Sequence, residues 1–233
     1  MKLCVVGIEG VPLGKRNIKD PRLDEAHGLE KADKKTYAQV DVVGEDELLN
    51  SDGILVAQAR AFDLIFRDLE LIETRLERSP SAGEKVVLEK LKTHLEGEHP
   101  ISTAGLSPSE VEAVSGVTFT TQRPMTVAEP AELEHLDALF VRAFLESGYI
   151  SYFTVGGKED RAWPIHKGAT AWEAAGAIHT DMQKGFIRAE VVAFEDFVAA
   201  GGETGAKRAG KQRLETKQYI MHDCDVVSFR FSR

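Results

Sequence analysis

The chain has 233 residues, 42% of them apolar and 29% charged, which is ordinary for a globular protein and allows one large domain or two small ones. No apolar run reaches the ~20 residues of a membrane helix, and Glu9 interrupts the N-terminal run before it attains the ~7–15 residues of a signal-peptide core. Two cysteines, Cys4 and Cys224, are few for a secreted domain and favour a reducing, cytoplasmic compartment. The net charge of −9 is uneven: residues 149–233 carry 12 basic and 11 acidic side chains, whereas residues 1–148 carry 17 and 27. Such asymmetry points to two units with different partners. An acidic first part is a poor surface for phosphates.

In chain order, Leu3–Gly7 reads as a buried strand: continuous, β-branched and ended by glycine. Residues 9–21, rich in Gly, Pro and charge, read as loop, followed by a short helix over 22–31. Residues 37–43 and 53–57 read as a second and a third strand. From residue 61 the period changes: Ile65, Leu69, Ile72 and Leu76 are spaced 4, 3 and 4, the rhythm of one helical stripe. Ser79-Pro80-Ser81-Ala82-Gly83 breaks it, and Leu88, Leu91 and Leu95 line a second helix. An antiparallel helical hairpin over about 61–97 is expected.

Ser107-Pro108-Ser109-Glu110 carries a helix start, with Ser as N-cap, Pro first and Glu three residues on. Residues 117–121 and 125–128 read as short strands and 131–147 as a helix stopped by Gly148. Beyond it, strands are expected at 150–155, 161–165, 187–192, 218–221 and 226–231, with helices near 170–178 and 194–200. This order suggests a compact mixed sheet with a helix packed on it.

The run from Ile150 to Trp163 (ISYFTVGGKEDRAW), then Lys167-Gly-Ala-Thr-Ala, Ala174 to Val191 (AAGAIHTDMQKGFIRAEV), Gly205 to Glu215 (GAKRAGKQRLE) and Val226 to Phe231 (VVSFRF) closely resembles the TGS domain of the YchF (Obg-like ATPase) family of P-loop proteins. Asp20-Pro21-Arg22-Leu23-Asp24 resembles the family's segment before its second strand, and the hairpin its inserted helical arm. The resemblance implies an α/β remnant of a P-loop GTPase-like domain over 1–148, followed by an α+β, ubiquitin-like β-grasp TGS domain over 149–233.

A phosphate loop needs G-x-x-x-x-G-K-[ST] between a strand and a helix, so that backbone amides cradle phosphate and a hydroxyl binds magnesium. The nearest candidates are Gly10, Gly14 and Lys15. Three residues separate Gly10 from Gly14 and six separate Gly7 from it, and position 16 is Arg. Only twelve residues stand between Gly7 and Asp20. The family's Asp-x-x-Gly is missing after Val42-Val43, and Thr126-Val127-Ala128-Glu129-Pro130 has no base-recognition Asn. The expectation is therefore no catalytic residue, no cofactor and no metal.

Two further groups are candidate ligand or RNA surfaces. One is His179 and Thr180 with Lys184 and Arg188; its bland reading is a helix end before a strand. The other is Lys207, Arg208, Lys211 and Arg213 with Lys217, whose spacings of 1, 3, 2 and 4 could set most of them on one side of a loop or irregular helix and whose bland reading is a solvated charged loop. His222-Asp223-Cys224-Asp225 reads as a turn; Arg161 with Trp163, or Trp172, could stack on a base, and the bland reading places them in the small C-terminal core. What the resemblance implies is a non-catalytic, translation-associated binding module meeting the ribosome, RNA or a small regulatory nucleotide through its TGS face, with no membrane. Alternatives are nucleotide binding or weak NTPase activity through a non-standard loop, and a protein scaffold built on the hairpin. Nothing in the sequence sets an oligomeric state.

Overall fold

The computed structural model describes residues 1–232; Arg233, the last residue of the expected second domain, lies outside the described residues. The chain opens with strand β1 (Lys2–Val6), turns, and enters β2 (Gly14–Ile18). Helix α1 (Pro21–Glu30), β3 (Lys34–Thr36), β4 (Ala38–Val43) and β5 (Gly53–Ala57) follow. Next come the hairpin helices α2 (Gln58–Glu77) and α3 (Ala82–Glu96), then α4 (Pro108–Ala113), β6 (Met125–Ala128) and α5 (Leu136–Glu146). The remainder holds β7 (Tyr149–Thr154), β8 (Glu159–His166), α6 (Ala171–Ile178), α7 (Thr180–Lys184) and β9 (Phe186–Val192). It closes with α8 (Phe194–Ala199), α9 (Glu203–Arg208), β10 (Arg213–Glu215) and β11 (Val226–Phe231).

These elements form two compact units: residues 1–16 with 40–147, and residues 17–39 with the chain from Gly148 onward. The sequence division at 148 is corrected by the segment 17–39, which packs with the C-terminal residues. The cause is a cluster of charge-assisted bonds. Asp20, 5% exposed, N-caps α1 through the Arg22 N–H and accepts from Arg22 Nε (2.9 Å) and Nη2 (2.6 Å). Arg22 Nη1 lies 2.7 Å from Asp223 Oδ2, and Asp223 Oδ1 accepts from the Ser151 N–H. Further along, His27 Nδ1 meets the fully buried Asp160 at 2.7 Å, and β3 pairs in parallel with β8. Charge-assisted pairs of this kind are about twice as strong as neutral ones.

In the first unit the sheet order is β2-β4-β1-β5-β6, with β1 parallel to β4 and β5, and β5 parallel to β6. Cys4 and Val6 on one face of β1 pack with Ile54, Val56, Ala61 and Leu64. The expected loop over 9–21 holds β2, because alternate residues of GKRNI can face a neighbour: Ile18 is buried, while Lys15 and Asn17 are exposed. The expected strand over 117–121 is absent. Those residues run irregularly, and the Thr120 and Thr121 N–H groups are bound instead by the buried carboxylate of Asp68 (2.8 and 2.7 Å).

The hairpin stripe is spent inside the unit. Ile72, Leu88 and Leu91 are fully buried, with Ile65, Leu95 and Phe119 in the same cluster and Leu69 packed against it. Each such side chain contributes about 1.5–3 kcal/mol by leaving water. A scaffold reading based on exposure of Leu69, Ile72, Leu88 and Leu91 therefore loses its support.

The second unit is a six-stranded mixed sheet, β10-β9-β11-β7-β8-β3. Helix α6 covers one face through Ala171, Ala174 and Ala175 against Tyr152, Ile165, Val191, Val227 and Phe229. Small alanines let the helix approach closely, and the Tyr152 hydroxyl donates to Ala174 O (2.8 Å). The expected strand at 218–221 reduces to an isolated bridge between Thr170 and Ile220.

Arg22→Ala leaves the Asp20 carboxylate buried and without its cation. We expect a loss of about 1–3 kcal/mol in urea unfolding, with Arg22→Lys intermediate because it cannot form the fork. Unchanged unfolding in Arg22→Ala would remove the clamp from the account.

Candidate functional site

The carboxyl ends of parallel strands are where open α/β sheets bind ligands. At the end of β1, Gly7 adopts φ 67°, and its N–H donates to Glu45 Oε1 at 3.2 Å. Glu45 follows β4, and its other oxygen lies 3.8 Å from Arg60 Nη2. Arg60, in the first turn of α2, lies over the bend, since a Cβ on Gly7 would stand 2.6 Å from Arg60 Cγ. A protein carboxylate therefore takes the amide that a phosphate would need.

Of the three nucleotide candidates, Gly10 (φ 76°) stays in the turn, while Gly14 and Lys15 are taken into β2. They do not form one continuous loop, and the next element is a strand, not a helix. Lys15 is exposed, and Arg16 points the other way, stacked 4.3 Å from the Phe140 ring centroid with Asp137 at 3.1 Å. Arg16, which lacks a hydroxyl for magnesium, thus ties β2 to α5. Cys4 Sγ donates to Gly44 O at 3.3 Å, and burial, with Glu45 and Asp46 nearby, pushes its thiol up to about 11.

In the second unit His179 N-caps α7, its Nδ1 accepting from the Asp181 N–H at 3.1 Å. His179 and Lys184 line a shallow depression with Asp181, Met182, Gly185, Phe231 and Ser232, about 720 Å³ in volume. Thr180 and Arg188 do not line it; Arg188 lies on β9 opposite Arg230 of β11. Gly185 has a packing role, because a Cβ there would meet Ser232 O at 2.0 Å.

The second basic group is spread over different elements. Lys207 and Arg208 end α9, where cations suit the helix dipole. Lys211 pairs with Asp196 at 3.0 Å. Arg213 lies on β10, 3.3 Å from Glu215, and its Nη2 donates to the Tyr219 hydroxyl at 2.9 Å. That hydroxyl in turn donates to Asp225 Oδ2 (3.0 Å) and contacts His222 Nδ1 (2.9 Å). Sequence reasoning missed the Tyr219 hub, because it joins β10 to a turn with no periodicity to betray it. Trp172, expected in the core, is 43% exposed. Among the described residues no group of three or more His, Cys, Asp or Glu is placed to share a metal ion.

Residues 149–232 match the family model YchF-GTPase_C, described as "Protein of unknown function (DUF933)". The chain is 35% identical over 217 residues to the "Ribosome-binding ATPase YchF" of Haemophilus influenzae, covering 68% of this chain and 60% of that protein. It belongs to the YchF/Obg-like ATPase family. The Bacillus subtilis protein of the same name is 42% identical over 156 residues, 66% of this chain and 41% of that one. The chain thus spans 60% and 41% of the lengths of these YchF relatives. The Schizosaccharomyces pombe YchF GTPase structure aligns over 99% of this chain and 97% of that one with a TM-score of 0.75 and 19% identity. This likeness shows the P-loop GTPase-like α/β fold with the YchF C-terminal domain.

Both thiols are buried, and burial raises each above its ordinary pKa; at Cys224 the neighbouring Asp223 and Asp20 add to it. Neither is a nucleophilic thiolate near neutral pH. We expect almost no reaction with a thiol reagent at pH 8 in the native protein and two equivalents in urea. A fast native equivalent would contradict this burial.

Proposed function

We propose that this chain is a non-catalytic member of the YchF family that acts by attachment in translation. Its C-terminal unit, read as a TGS-type β-grasp module, would hold a ribosomal or RNA surface. The carrying observation is the Gly7 amide bonded to Glu45, with Gly14 and Lys15 drawn into a strand. Phosphoryl transfer is catalysed almost wholly by positioning and charge neutralisation. A carboxylate in the turn brings the wrong charge to a triphosphate.

The relatives' printed names give them ribosome binding and ATPase activity. We carry the first to this chain and not the second. The exposed cations Lys184, Arg188, Lys207 and Arg208 support contact with phosphates, and ribosome association would place the protein in the cytoplasm. No helix of the described residues is long and apolar enough to cross a membrane.

Purified protein should co-sediment with ribosomes at low salt and dissociate as salt rises, because phosphate contacts release counterions. Absence of co-sedimentation at low salt would overturn the reading. The second reading, binding of ATP, GTP or a small regulatory nucleotide, draws on Lys15, exposed and without an ion pair among the described residues. Titration with labelled ATP and GTP in magnesium should give no saturable micromolar binding, and Lys15→Ala should match the wild type. Saturable binding abolished by Lys15→Ala would establish the second reading instead.

A further inference from the structure

Residues 216–222 cross the N-terminal end of α6 as a strap. The Ala171 N–H donates to Tyr219 O (2.8 Å), the Trp172 N–H donates to Lys217 O (3.3 Å), and Thr170 bridges Ile220. These bonds hold the first turn of α6 and the strap together. They leave Trp172 43% and Ile220 48% exposed, while Trp163 packs against the core in its place. A tryptophan left this open forgoes much of the largest apolar gain any side chain offers.

Two cations are placed at the strap: Lys217, whose carbonyl takes the Trp172 backbone N–H, and Arg213, whose Nη2 donates to the Tyr219 hydroxyl. Glu215 is paired with Arg213, whose guanidinium stands 5.6 Å over the Tyr219 ring. Lys217 is exposed and has no ion-pair partner among the described residues. Glu173 accepts from the Thr170 N–H (2.7 Å), Asp225, 2% exposed, accepts from Tyr219, and Asp223 pairs with Arg22 (2.7 Å).

We propose that Trp172, Ile220 and the strap form a stacking platform for an unpaired base of single-stranded RNA, with Lys217 and Arg213 on the flanking phosphates. The inference rests on the ribosome or RNA attachment proposed above and names the chemistry of that contact. An amphipathic peptide helix needs an apolar groove with anchors at helical spacing. An exposed indole flanked by Lys217, unpaired among the described residues, and by Arg213, which shares its charge with Glu215, suits the π-face of a base and the phosphates on either side.

The test uses the full chain and a labelled, unstructured RNA of about ten nucleotides. Trp172→Ala should weaken binding by about fivefold or more, and Trp172→Phe should keep most of the affinity. Lys217→Ala should lower the slope of log K against log salt by about 0.7. In a Trp163→Phe background the remaining indole fluorescence should fall on saturation, which contact through cations alone would not produce. Circular dichroism of each variant checks the fold.

Wild-type affinity in Trp172→Ala, or no quenching, overturns the platform. If Trp172→Ala co-sediments with ribosomes like the wild type, the platform fails and attachment stands. If the wild type binds neither ribosomes nor RNA, both fail. Loss of co-sedimentation in Trp172→Ala, when the wild type has no RNA affinity, makes the surface a protein contact and overturns the RNA assignment.

Discussion

The second unit depends on one guanidinium. Arg22 holds Asp20 with two nitrogens and Asp223 with the third, joining the start of α1 to the turn before β11. That turn would not be chosen by local preference. Cys224 sits at φ 63°, a region that side chains with a Cβ avoid, and is retained by the N–H bond to Ser151 O and by Asp223 on the Ser151 N–H. Charge-assisted bonds on both flanks outweigh a local cost of about 1 kcal/mol. The Asp-Pro-Arg-Leu segment thus has a structural use within the C-terminal unit.

The opposite arrangement governs the end of β1. There the Gly7 N–H is met by Glu45, an anion from the chain itself. Arg60 is shared between Glu45 and Asp63, the latter at 2.6 Å, so the positive charge at this point is already answered internally. An incoming phosphate would have to displace a tethered carboxylate and be repelled by it. The turn thus meets both its donor and its cation from within the chain.

Much of the architecture was legible in residue order. Strand β5 and the hairpin helices announce themselves through an apolar run and a heptad stripe, and the Ser107–Glu110 capping box forms as its residue types require. What failed to show was non-local. Strand β2 reads as loop because GKRNI has only Ile18 to bury, and its pairing with β4 is decided by a strand some twenty residues later. Residues 117–121 have β-type side chains, yet the Asp68 carboxylate, 52 residues from Thr120, claims their amides. At the candidate sites, sequence found the cations but not their grouping. Whether Lys211 stands free or faces Asp196 depends on how α8 and α9 fold back, and no spacing reports that.

The placement of residues 17–39 alters how this protein can be divided. The polypeptide crosses from one unit to the other after Arg16, returns after Gln39 and crosses again after Ser147. A protease nick at 147–148 would release neither unit whole, since the amino-terminal piece would keep α1 and β3. By the same logic, the C-terminal module cannot be shuffled between genes as one contiguous exon-like block without leaving behind the arginine that fastens its last turn.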